Sequence, residues 1–312
     1  MISLRTPLPL WLDELFPTGA RRRWIDVGGV RMHVAEWGPT DAAAPTVVMV
    51  HGNPSWGFLW RKVVAELLAD DVRLVVPDLI GLGLSDKPRD AEVHRLESHA
   101  AWLGRMLDEV APGPVVLAVQ DWGGPIGLGA MADRRARLAG LVLLNTVVGP
   151  PRPGFKPTLF HRLARVPVVS ELLFRGAGFP QNVMTLAQGR RTSLLGPARR
   201  GYVWPLRHRA DRTAPLALAR MVPDSLAHAS VPMLERTRDL VTSFRGPIEL
   251  VWGTRDPVLG GVLGYLQKLL PDAPVTRTDA GHFLQEEVPG PIADAIRRVV
   301  ARARTPAATA AN

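Results

Sequence analysis

Residues 114–129 read PVVLAVQDWGGPIGLG, an apolar run that passes straight into a Gly-rich turn and then into a segment able to form a helix. Asp121 stands at the apex of that turn. A sharp strand-turn-helix of this kind is a nucleophile elbow, which pushes one side chain out at the carboxyl end of a sheet and leaves a backbone N–H beside it. The close approach of strand and helix calls for small residues around the apex, which Gly123 and Gly124 supply and Val119 does not. The exposed group is a carboxylate where serine is commoner. A carboxylate attacks an sp³ carbon to give an alkyl ester, so the position implies displacement chemistry instead of ordinary ester cleavage. Taken alone, Asp121 could equally cap the following helix through its first N–H groups.

Outward from the elbow, short apolar runs of the buried parallel kind recur at 46–50, 73–76, 141–144 and 248–252, with one more short strand candidate at 274–278. Helix-period segments at 57–69 and 97–110 alternate with them, which predicts a doubly wound, mostly parallel α/β sheet. Upstream, 24–37 alternates at period two around Gly28-Gly29 and reads as an antiparallel hairpin. The alternation stops after Asn145. Residues 148–230, rich in Pro and Arg, hold helix-like pieces at 158–175, 181–190 and 214–221, and read as a helical insertion. The expected division is a core of residues 1–147 and 231–303, a helical cap of 148–230 and a frayed tail that starts at about 302 and is set at 304–312.

Two partners for Asp121 follow in the chain order nucleophile, acid, histidine. Asp256 comes after the run 248–252, in IELVWGTRDP, and His282 comes after 274–278, in TDAGHFLQE. Each has a plain alternative, a turn residue before Pro257 and a satisfied buried histidine; their joint placement at one sheet edge favours a triad. In 46–56, TVVMVHGNPSW, a strand runs directly into His51-Gly52-Asn53-Pro54, where an oxyanion hole draws its second backbone N–H. Asn53 adds a side-chain amide donor and Trp122 an indole N–H, two uncharged donors that suit a departing halide. Trp122 could equally be core packing.

Composition narrows the field. The 312 residues are 46% hydrophobic and 21% charged, which fits one large globular α/β domain with an insertion and not a disordered chain. No cysteine is present, so disulfides, thiol nucleophiles and Cys-ligated metal are excluded. The formal charge of +9 is spread along the chain, mostly as Arg, without a nucleic-acid-binding motif, so no nucleic-acid partner is expected. With no apolar run long enough to span a bilayer and no signal-peptide pattern, a cytoplasmic protein with no membrane partner is expected.

Together HGNPSW, QDWGGP, LLNT, WGTRD and AGHF resemble the haloalkane dehalogenases of the α/β-hydrolase superfamily, over nearly the whole chain. The segment 77–88, PDLIGLGLSDKP, is similar to a loop shared by dehalogenases and epoxide hydrolases. That family divides by the place of its acid. Where one group has a Glu after the sixth strand, this chain reads Leu144-Asn145-Thr146, so the resemblance points to Asp256 as the acid and leaves Asn145 outside the triad. It implies the subfamily with an Asp-His-Asp triad and an Asn-Trp halide pair: Asp121 displaces halide held by Asn53 and Trp122, and His282, oriented by Asp256, activates water. The same Asn53 and Trp122 would hold the oxyanion through their backbone N–H groups. The implied partners are a small halogenated hydrocarbon, water and a halide ion, with no metal or organic cofactor; a homo-oligomer is compatible with it. The alternatives are an epoxide hydrolase, which needs cap tyrosines where the chain has only Tyr202 and Tyr265, or a non-catalytic binding protein. Phe155, Phe174, Phe179 and Trp204 could line the pocket or only pack.

Overall fold

The computed structural model describes residues 8–40, 46–152 and 154–304. Eight strands form one sheet: β1 (Arg21–Asp26), β2 (Arg31–Trp37), β3 (Thr46–Val50), β4 (Arg73–Pro77), β5 (Val115–Asp121), β6 (Leu138–Thr146), β7 (Ile248–Gly253) and β8 (Val275–Thr278). Their spatial order is β1-β2-β4-β3-β5-β6-β7-β8, with β2 antiparallel to both neighbours and every pairing from β4 to β8 parallel. β1 begins three residues before the alternating apolar run because it pairs with β2 alone. An edge strand tolerates the charged triplet Arg21–Arg23, which carries no apolar periodicity to read.

The central strands β3 and β5 are almost wholly apolar because both their faces are covered, whereas the edge strand β8, VTRT, is only partly buried. Val48, Val50, Val115, Leu117 and Val119 face one core, while Val47, Met49, Val116 and Ala118 face the other. The helices are α1 (Leu10–Asp13), α2 (Arg61–Leu67), α3 (Leu96–Val110), α4 (Gly123–Ala132), α5 (Leu159–Leu163), α6 (Gly196–Val203), α7 (Thr213–Arg220), α8 (Val231–Ser243), α9 (Leu263–Leu269) and α10 (Pro289–Arg304). In α3, Leu96, Ala100, Leu103 and Leu107 recur at helical spacing and lie in the first core. In α10, Ile292, Ile296, Val299 and Val300 do the same for the second. Residues 302–304, read from the sequence as frayed, complete α10, and the remaining tail lies outside the described residues.

Between β6 and α8 the chain is helical but broken. The expected helix over 158–175 stops after α5, because Pro167 has no N–H to continue the ladder, and Val168 takes a φ of 63° before a π-helical turn at Glu171–Gly176. Residues 181–190 give a 3₁₀ turn at Gln181–Ala187, and the piece at 214–221 is α7. Phe174 and Phe179 pack with Phe160 in a small separate core closed by Ala164, Leu216 and Ala219.

This helical region is stitched to the loop that follows β8. The His282 N–H donates to Ala187 O at 2.8 Å, and the Phe283 N–H donates to the Gln188 side chain at 3.0 Å. Buried Glu287 accepts from the N–H groups of Gly189, Arg190 and Gly281. The two backbones run so close that a Cβ at Gly281 would collide with Ala187 O and the Gly189 nitrogen.

Candidate active site

β5 ends at the elbow. Asp121 sits in the left-handed region with a φ of 50°, which turns its side chain out of the strand before α4 begins at Gly123. The glycine at 123 is a steric requirement, since a Cβ there would collide with the carbonyl oxygens of Val50 and His51. Thr146 Oγ1 donates to Asp121 O at 2.6 Å and ties the elbow to the end of β6. The Asn53 N–H, at the end of β3, donates to Asp121 Oδ2 at 2.8 Å, and the Trp122 N–H also bonds the carboxylate.

The structure brings the three sequence-derived residues together. His282 Nε2 lies 3.9 Å from Asp121 Oδ1, and its Nδ1 lies 2.9 Å from Asp256 Oδ2. Burial raises the pKa of Asp121 above the usual carboxylate value, opposed by His282 and the two N–H groups. Burial would lower His282, but the charge and hydrogen bond of Asp256 and the charge of Asp121 override it and push the imidazole up to about 9. Asp256 is shifted up by burial and further down by His282, by Asn145 and by the Val258 N–H, and ends below the usual value.

Asn53 and Trp122 flank the carboxylate, with one departure from expectation. The Asn53 amide is engaged: Nδ2 donates to Pro215 O, in α7, at 3.0 Å. A carbonyl can only accept, so the amide orientation is fixed and one Nδ2 hydrogen remains uncommitted. Asn53 Oδ1 is buried with no partner among the described residues. Trp122 is 8% exposed and packs in the first core, so it is core and elbow at once.

The sequence reading leaves Asn145 outside the triad and out of touch with it; the structure sets Asn145 against the acid. The pairing of β5 with β6 runs Gln120 to Leu144 and then Asp121 to Thr146, so Asn145 is a bulged residue with a φ of 29°. A bulge re-aims its side chain. Here Asn145 Nδ2 donates to Asp256 Oδ2 at 2.7 Å and to Gly253 O at 2.9 Å, while its Oδ1 accepts the Gly253 N–H at 2.7 Å. Asn145 therefore holds the acid that orients the histidine. We expect Asn145→Ala to lower turnover by about tenfold to a hundredfold, the range for removing a partner that positions an active group, and Asp256→Asn to lower it further. Steady-state kinetics on both variants checks the order; an unaffected Asn145→Ala enzyme would return that residue to a packing role.

Gln120 was also missed. It is fully buried, its Nε2 donates to His282 O at 3.1 Å and lies 3.4 Å from His282 Nε2, and its Oε1 has no partner among the described residues. Its place beside the nucleophile was visible; its reach to a residue far along the chain was not. Tyr202 is tied down, its hydroxyl donating to Glu286 at 2.6 Å beside the Arg61 and Lys62 ion pairs to that carboxylate. Tyr265, on α9, lies under the Arg152 guanidinium.

A family model described as the alpha/beta hydrolase fold matches residues 45–289. The chain is 35% identical over 286 residues to a cis-3-alkyl-4-alkyloxetan-2-one decarboxylase of Xanthomonas campestris, covering 88% of this chain and 93% of that one. It is 31% identical over 272 residues to a haloalkane dehalogenase of Mycolicibacterium paratuberculosis, covering 84% and 85%. A crystal structure of a haloalkane dehalogenase from Bradyrhizobium elkani superposes with a TM-score of 0.80 at 25% identity, covering 91% of this chain and 98% of that one. Among the described residues no helix is long and apolar enough to cross a membrane.

Proposed function

The chain belongs to the α/β hydrolase fold family, among relatives that include haloalkane dehalogenases, and from that premise we propose that it hydrolyses a haloalkane to an alcohol and a halide through an ester on Asp121. The observation that carries the reading is the division of labour between the two oxygens of Asp121: Oδ2 is held by the Asn53 N–H and Oδ1 faces His282. Oδ1 attacks the carbon that bears the halogen, the carbon-halogen bond breaks, and the halide leaves toward the uncommitted Asn53 amide hydrogen and the Trp122 indole. Oδ2 becomes the ester carbonyl, already in its donors. His282 then takes a proton from water, whose oxygen adds to the carbonyl carbon; the negative charge forms on Oδ2, between N–H groups that need no rearrangement. Collapse breaks the acyl-oxygen bond, His282 returns the proton to the alkoxide, and the water oxygen stays on Asp121, whose remaining proton is given up to solvent. Asp256 holds the imidazole through both transfers.

The timing follows from electrostatics. In the free enzyme two carboxylates keep His282 protonated near neutral pH, since its pKa is about 9. Esterification removes the charge of Asp121 and with it one of the groups that raise the imidazole, so the base is released when it is needed.

A second reading rests on the 35% identity to the oxetanone decarboxylase, higher than the 31% to the mycobacterial dehalogenase. In a cis-3,4-dialkyl-oxetan-2-one, carbon 4 is also an sp³ carbon with an oxygen leaving group. Attack by Asp121 there would break the ring C–O bond and leave a carboxylate on carbon 3; loss of carbon dioxide with expulsion of Asp121 gives an alkene and consumes no water. An epoxide hydrolase is less favoured, because the Tyr202 hydroxyl is committed to Glu286. One set of incubations separates the three: brominated and chlorinated alkanes with halide detection, a cis-dialkyl oxetanone with alkene detection, and styrene oxide with diol detection. Halide from the bromoalkanes without diol is expected. Alkene formation without halide release would replace the dehalogenase reading by the decarboxylase one.

A further inference from the structure

The region between β6 and α7 presents an apolar tip to solvent. Leu159, Val168 and Leu172 are 67%, 68% and 60% exposed, and Val166 and Val169 are exposed beside them. The tip is compact, since the Ser170 N–H bonds Val166 O and the Leu172 N–H bonds Val168 O. Val168 holds its left-handed conformation there, an uncommon and costly one for a β-branched side chain that stays mostly exposed.

Cations flank the tip along the chain. Residues 156–175 carry Lys156, Arg162, Arg165 and Arg175 against one acid, Glu171. Glu171 pairs with Arg175 and Asp224 pairs with Arg165, which leaves Lys156 and Arg162 without an ion pair among the described residues. These two line a surface cleft of about 470 Å³ with Pro157, Arg165 and Asp224. An exposed apolar segment with unpaired cations close by in the chain is the pattern of a segment that sits at a lipid-water boundary, side chains among the acyl chains and cations at the phosphates.

We propose that this tip docks the protein on a bilayer containing anionic phospholipid, with Lys156 and Arg162 at the headgroups and Val168 and Leu172 inserted. A second copy of the chain fits less well, because a self-complementary contact through this face would oppose its cations to themselves. The absence of a spanning helix bears only on crossing a membrane, and docking needs none.

Flotation with phosphatidylcholine vesicles, with and without phosphatidylserine, tests the surface on the full chain. Wild-type protein is expected to float with the phosphatidylserine vesicles at low salt, and to be released by salt. Lys156→Gln with Arg162→Gln should weaken partitioning roughly twenty-five-fold, about fivefold per cation. Val168→Asn with Leu172→Gln should abolish it while unfolding temperature and solution turnover stay unchanged, since Asn accepts a positive φ better than Val. Wild-type protein that stays unbound overturns the proposal, as does phosphatidylcholine binding that survives the apolar replacements. Concentration-dependent self-association, seen by sedimentation and lost in the Val168 and Leu172 variant, would assign the face to a second copy and overturn it equally.

Discussion

His282→Phe, given a brominated alkane, is expected to release about one halide per active site and then stop. Alkylation draws only on an ionised carboxylate and a halide acceptor, whereas hydrolysis requires a base, so losing the base separates the two steps. The described geometry supports the separation: His282 Nε2 is 3.9 Å from Asp121 Oδ1, too far for a hydrogen bond that attack would first have to break. Intact mass should rise by the alkyl group, and peptide mapping should place it on the segment with Gln120-Asp121-Trp122. The wild-type pH profile should agree in sign. Hydrolysis needs neutral His282, and the alkylated enzyme lacks one of the two charges that raise its pKa, so kcat should climb with pH through a value below about 9. Many turnovers by the histidine variant would contradict the mechanism, because no other histidine follows Asp256 in the chain.

Asp121→Ala should lose turnover by a factor on the order of a million, the scale seen when a nucleophile is removed from a well-measured triad. It should remain folded. Alanine at a φ of 50° costs roughly 1–2 kcal/mol, but the substitution also removes a carboxylate whose burial already disfavours its charge. Halide release and thermal unfolding measured on the same preparation decide the point: a folded variant with wild-type halide release would remove Asp121 from the chemistry, and an unfolded one would show that the elbow depends on the carboxylate.

What was legible in the sequence was whatever local chemistry fixes. The central parallel strands announce themselves because burial on both faces leaves runs rich in Val and Leu, and Asp121 and Asp256 follow such runs; His282 follows β8, whose VTRT is only partly buried, so its place at the same sheet edge was inferred from chain order. Asn145 could not be placed, because its role depends on a bulge between two strands, and a one-residue offset in pairing has no signature in either strand. Gln120 sits in plain view beside the nucleophile, yet its bond to His282 spans a fold, not a motif. In the helical region between β6 and α8, Pro167 and the 3₁₀ turns broke elements that periodicity had joined, since polar, Arg-rich segments repeat too weakly to reveal where a helix ends.

The seam between residues 187–190 and 281–287 changes what the helical region is for. It is made of main-chain groups of Ala187, Gly189, Arg190, Gly281, His282 and Phe283, together with the side chains of Gln188, Arg190 and Glu287. Side chains elsewhere in that region can therefore be exchanged without touching the anchorage of His282. The same bonds tie the helical region to His282 itself, so a chain stripped of residues 187–190 would lose part of the footing of that histidine.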